Sequence, residues 1–91
     1  MVQLNSLPNA NLSQDAFEIV TKTLRKELGE SLRMFRKMKG CNQKEIALLM
    51  NIDRSTISKI ENGIFAISID YLEKFSRILD FEVKLINKEN H

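Results

Sequence analysis

The sequence has no tryptophan and a single tyrosine, so its core must be aliphatic, with five phenylalanines and four methionines to fill gaps. Met34, Met38 and Met50 are expected among those fillers. One cysteine, Cys41, excludes an internal disulfide and fits a reducing compartment. The one histidine is His91, at the far end. A histidine-based metal cluster is therefore excluded, and Cys41 has no histidine partner to make it a nucleophile. Cys41 is expected to be a small core residue. Glycine is scarce, and no glycine-rich phosphate loop is present. No enzyme, metal or cofactor is expected. No apolar run approaches the roughly 18–20 residues of a membrane span. The opening "MVQLNSLPNANLS" lacks a basic and then an apolar region, so no secretory signal is expected.

What remains is a chain of 91 residues, enough for one small domain, with 43% hydrophobic and 29% charged residues. Its net charge of +2 is unevenly placed. From Lys22 to Lys44 there are eight basic residues against two acids, Glu27 and Glu30. From Glu61 to His91 there are four basic residues against six acids. The first region suits a polyanion, although a basic run is also what a solvated helix face looks like.

Residues 1–12 show no period and read as a flexible arm. Ser13 or Asp15 can cap the helix that follows. Phe17, Val20, Leu24, Leu28, Leu32, Phe35 and Met38 then recur three or four apart, which is one helical stripe. Gly29 sits inside it at a cost of about 1 kcal/mol relative to alanine. The segment is one long helix or two meeting near Gly29, and a break or bend there is expected. Gly40 ends the stripe.

Asn42 and Glu45 form a capping-box pair ahead of "QKEIALLM", in which Ile46, Leu49 and Met50 should face inward. "NID" is a turn, with Asn51 suited to the left-handed conformation and Asp53 capping the next helix. That helix runs from Arg54 to about Asn62 and stops at Gly63. Ser68 caps a fourth, with Ile69, Leu72, Phe75 and Leu79 inward and Ile78 widening the face. At Asp80 the period changes. In "FEVKLI", Phe81, Val83 and Leu85 alternate with Glu82 and Lys84, as in a strand. A lone strand is unpaired, so a second copy should pair with it across a dimer. The other reading is that "FEVKLI" extends the fourth helix or frays.

The two short helices are "QKEIALLM" and "RSTISKIEN", both below the roughly 12–15 residues at which isolated helices become stable. On the second, Ile57 and Ile60 point one way. Arg54, Ser55, Ser58, Lys59 and Asn62 form a stripe on another face. That stripe holds no acid and no large apolar group. Its donors and acceptors match the edges that base pairs present in the DNA major groove. An ordinary surface helix is the plain alternative, but such helices usually mix glutamate with lysine. Counting Gln43 as one, Ala47 stands at five, Asn51 at nine, Ile57 at fifteen and Ile60 at eighteen. This spacing resembles the helix-turn-helix pattern, which would make the second helix the reader.

The stretch "LGESLRMFRKMKGCNQKEIALLMNIDRSTISKIENG" resembles the lambda-repressor-like, or XRE/Cro, family from Leu28 to about Leu79. The resemblance implies a mainly α fold, a lambda-repressor-like helical bundle with a helix-turn-helix. It places Arg54, Ser55 and Lys59 among base-reading side chains, with Ser58 beside them. Gln43, Lys44 and Asn62 fall where phosphate contacts occur. Arg36 and Glu61 match a buried ion pair that braces the first helix against the reading helix. Asn51 departs from the usual glycine of the turn, and Cys41 from the usual aliphatic residue. "ILDFEVKLINKE" further resembles the C-terminal strand of HipB-type antitoxins, with Phe81, Val83 and Leu85 pairing across the dimer.

These resemblances imply a cytoplasmic, nucleoid-associated bacterial repressor. It would bind double-stranded DNA at a palindromic operator as a homodimer and neutralise a HipA-like kinase toxin. A stand-alone phage-type repressor and a protein-interaction module on the same fold are the alternatives. The expected organisation is an arm over 1–12, a helical extension over 13–27, the DNA-binding domain over 28–79, a dimerisation strand over 80–87 and a tail over 88–91. The N-terminal segment from Asn11 to Glu27 falls outside the family pattern and is a candidate dimerisation element or toxin-contacting arm.

Overall fold

The computed structural model describes residues 14–90. The expected arm over 1–12, the Ser13 cap and His91 lie outside the described residues. Four helices follow in order: α1 (Gln14–Met38), α2 (Gln43–Met50), α3 (Arg54–Glu61) and α4 (Ile69–Leu79). A short 3-10 turn, Lys88–Asn90, comes last.

α1 is one continuous helix of 25 residues, not the interrupted pair expected at Gly29. The reason is tertiary. Gly29 is buried, and a Cβ added there would lie 2.5 Å from the carbonyl oxygens of both Ile60 and Glu61. Without a Cβ at 29 the carbonyl end of α3 can lie directly against α1, and that packing holds the helix through the glycine. At a rise of 1.5 Å per residue α1 is roughly 37 Å long. That accounts for most of the 43 Å longest dimension.

The turns obey local chemistry. α1 ends with Gly40 left-handed, its N–H donating to Lys37 O at 3.0 Å and the Cys41 N–H to Arg36 O at 3.1 Å. This double bond satisfies carbonyls the helix leaves open. Asn42 opens α2 with a full capping box: the Glu45 N–H donates to Asn42 Oδ1 at 2.8 Å, and the Asn42 N–H donates to Glu45 Oε1 at 3.1 Å. Asn51 closes α2 in the left-handed region, φ 56°. Asp53 precedes α3 in extended backbone but makes no side-chain cap, contrary to expectation. Ser68 caps α4, accepting from the Tyr71 N–H at 3.1 Å.

Leu32, Ile46, Ala47, Met50, Ile57, Ile60, Phe75 and Leu79 form one buried cluster. Ala47, not Leu49, is the inward partner of Ile46 and Met50; Leu49 is 64% exposed. The small side chain at 47 lets α3 cross close to α2, and that crossing turns Leu49 outward. Ile69, Met34 and Met38 are likewise exposed, against expectation. Cys41 is half-buried at the α1–α2 turn.

Among the described residues there is no strand. α4 stops at Asp80, left-handed at φ 61°, and residues 81–87 run on irregularly. A strand is defined by paired hydrogen bonds, and one chain offers this segment no partner. Phe81 is instead half-buried on its own core, its ring 5.1 Å from that of Phe35. Val83 and Leu85 are exposed, Leu85 fully.

Candidate nucleic-acid interface

α3 carries the stripe at issue. Ile57 and Ile60 are buried beneath it. Arg54, Ser55, Lys59 and Asn62 are exposed and Ser58 is half-buried. Arg54 and Ser55 occupy the first turn, the end by which a reading helix usually meets base edges. Lys59 Nζ lies 4.9 Å from the centre of the Phe65 ring, a cation–π contact that steadies a long side chain. The Asn62 amide is engaged within the protein. Its Nδ2 donates to Ser58 O at 2.8 Å, and its Oδ1 accepts from Arg33 Nη2 at 2.9 Å. Arg33 thereby joins the surface beside Asn62 as a further cation.

Behind the stripe lies a buried knot centred on Glu61, which is 1% exposed. Arg36 Nε donates to Glu61 Oε2 at 2.6 Å and Arg36 Nη2 to Oε1 at 2.9 Å. Gln43 Nε2 donates to the same Oε1 at 3.1 Å, and Arg33 Nε stands 3.5 Å from it. Arg36 Nη1 donates to Cys41 O at 2.9 Å. The Glu61 carboxylate thus ties the last turn of α3 to α1 and to the first residue of α2, and Arg36 extends the tie to the α1–α2 turn. Burial pushes the Glu61 carboxyl up, but hydrogen bonds from Arg36, Gln43 and Arg33 with the Arg36 charge outweigh it and hold the group below its ordinary value. The bond to Glu61 raises Arg36 above its own.

Gln43 therefore has its amide nitrogen committed to Glu61, and Lys44 is exposed at the start of α2. Early N–H groups of a helix have no intrahelical acceptor and favour anions. The knot fixes that end of α2 relative to α3, so the two surfaces keep one geometry.

The sequence profile of the helix-turn-helix family matches residues 32–86 of this chain. The chain belongs to the helix-turn-helix family. It is similar to the HTH-type transcriptional regulator SinR of Bacillus subtilis, 34% identical over 65 residues, which is 70% of this chain and 59% of that regulator. The chain thus spans about three fifths of that relative's length. It is also similar in structure to the restriction-modification controller protein C.AhdI from Aeromonas hydrophila. The TM-score is 0.63 at 32% identity, covering 66% of this chain and 91% of that one. Both relatives are named as regulatory proteins, a transcriptional regulator and a controller protein, and neither name is that of an enzyme. No helix among the described residues is long and apolar enough to cross a membrane.

Sequence reasoning does not single out Arg33 and Phe65. Arg33 precedes Arg36 by three residues on α1 and so shares its face, a signal within reach of the pattern. Phe65 lies in an irregular loop, where no periodicity marks it.

Proposed function

We propose that the chain is a dimeric, sequence-specific DNA-binding repressor of transcription. The observation that carries this is the exposed, acid-free stripe of α3, fixed from behind by the buried Arg36–Glu61 pair. The names of its two relatives, a transcriptional regulator and a controller protein, agree with it. In this reading Arg54, Ser55, Ser58 and Lys59 address base edges, while Gln43, Lys44 and Asn62 lie along the phosphates. Arg54→Ala should weaken binding to the preferred site by roughly 1–3 kcal/mol and relax the choice at one base. Lys44→Ala should weaken all sequences alike. Fluorescence anisotropy on matched and mismatched duplexes separates the two. Unchanged affinity in both Arg54→Ala and Lys59→Ala would place the reading face elsewhere.

Two copies suit a palindromic operator with half-sites one helical turn apart, about 34–36 Å. The pairing element is the segment after α4, where Val83 and Leu85 stand exposed without a partner in their own chain. Val83→Pro removes a ladder donor and should convert a dimer to a monomer in sedimentation. A dimer that survives it must be held by another surface, such as the outer face of α1, where Phe17 and Ile19 stand exposed.

Within this reading the repressor is the antitoxin of a HipBA-like pair, repressing its own operon and binding a HipA-like kinase. Its support is the resemblance of "ILDFEVKLINKE" to the C-terminal strand of such antitoxins. The kinase-like product of an adjacent gene should co-purify with the chain and lose activity. No such binding would leave the repressor without the antitoxin role.

A further inference from the structure

The turn that follows α3 does not hang free. A Cβ on Gly63 would lie 2.8 Å from the Cα and 2.9 Å from the N of Lys26, so this turn rests directly on the backbone of α1. Beside that contact is an open cleft lined by Lys22, Arg25 and Lys26 from α1 and by Asn62, Gly63 and Ile64 from the turn. Three cations line it and no carboxylate does. Lys22 and Lys26 are exposed and Arg25 is half-buried. Asn62 belongs both to this cleft and to the α3 stripe, so the two surfaces are continuous.

The dimensions suit one occupant. α3 has eight residues and is about 12 Å long, close to the roughly 12 Å width of the major groove. A reading helix that fills the groove with Arg54 and Ser55 at one end brings the cleft at its other end to a rim of phosphates. The carbonyl end of α3 alone would repel an anion there. The cations of α1 reverse that sign.

We propose that Lys22, Arg25 and Lys26 form a second phosphate clamp for double-stranded DNA, outside the helix-turn-helix. This gives the N-terminal half of α1 a role in DNA affinity rather than in base choice. The inference rests on the DNA-binding reading of α3.

The test uses the full chain and two duplexes: the best binder selected from a random pool, and a scrambled one of equal length. Affinity is measured against salt for the wild type, for Lys22→Gln with Lys26→Gln, and for Lys74→Gln with Arg77→Gln, which removes the same charge from the exposed face of α4. The first pair should lower the slope of log K against log salt by about 1.8 for each chain on the duplex, or about 0.9 for each phosphate no longer neutralised. Carried from 1 M salt down to 50 mM, that slope change should lower affinity roughly two-hundredfold for each chain on the duplex, on both duplexes, with their ratio unchanged. The control pair should leave the slope near that of the wild type. An unchanged slope in the first pair, or an equal fall in the control, overturns the clamp. If the first pair lowers the ratio between duplexes instead, these lysines govern base choice and the clamp is again wrong. A wild type with no salt-dependent DNA binding overturns the reading of α3 and the clamp with it. Arg54→Ala tells the two failures apart, since it weakens the preferred duplex whether or not the clamp exists.

Discussion

Replacing Glu61 with alanine should cost the fold about 3–5 kcal/mol, because it leaves the Arg36 guanidinium buried without its counter-charge. The loss is larger than for a surface pair because Glu61 is 1% exposed and accepts from both Arg36 and Gln43. A domain this small is stable by only about 5–15 kcal/mol. Each kcal/mol moves the melting point by roughly 4–8 °C at this size, so the melting temperature should fall by about 12–40 °C. A fall of under about 5 °C would mean that the pair is effectively solvated and braces nothing. Replacing both partners by apolar residues, Arg36→Met with Glu61→Leu, should recover much of the loss, since no charge is then stranded. The pH dependence has a fixed sign. The folded carboxyl titrates below its ordinary value of 4.5, so its contribution is complete above that value. It is lost as pH falls through the lower, folded value. Acid should therefore unfold the wild type with a steepness that the double variant lacks.

Gly29→Ala should destabilise the protein, although alanine is the better helix former by about 1 kcal/mol. The added methyl would sit 2.5 Å from two backbone carbonyl oxygens at the end of α3. Backbone cannot rotate aside as a side chain can, so α3 must move or α1 must bend. Overpacking of this kind costs about 1–3 kcal/mol and sometimes more. Set against the helix gain, the expected balance is a net loss of about 1 kcal/mol in urea unfolding, rising to about 2 where the α3 carbonyls cannot shift. DNA affinity should fall as well, since the reading helix is what the methyl displaces. Gly40→Ala is the comparison: its φ of +73° is unfavourable for alanine, as that of helical Gly29 is not, but nothing lies within 4 Å of the new atom. It should lower stability while sparing DNA affinity. A gain in stability from Gly29→Ala would show that α3 does not rest on α1 as described.

Gly29 also marks where the sequence ceases to be legible. The four helices, the Asn42 capping box and the left-handed Asn51 follow from short-range chemistry, and each stands as that chemistry requires. A glycine inside a helical stripe reads as a break because its neighbour from another helix is invisible in the pattern. Leu49 reads as inward for a similar reason. Over eight residues, periodicity alone cannot decide which of two adjacent faces meets the core, and Ala47 decides it by size. Phe81 follows strand alternation, yet the Phe35 ring on α1 claims it. The exposed stripe of α3 can be picked out from residue types. That Asn62 turns back to Arg33 and Ser58, and that Gln43 turns to Glu61, depends on neighbours that only the folded chain supplies.

The central claim is that the α3 stripe reads bases. Selection of bound duplexes from a random pool, run in parallel with the wild type and Arg54→Ala, tests it most directly. The wild type should enrich a palindrome with half-sites about one helical turn apart. Arg54→Ala should enrich the same palindrome with preference lost at one position in each half-site. An identical preference from both proteins, or no enrichment by the wild type, would contradict the claim.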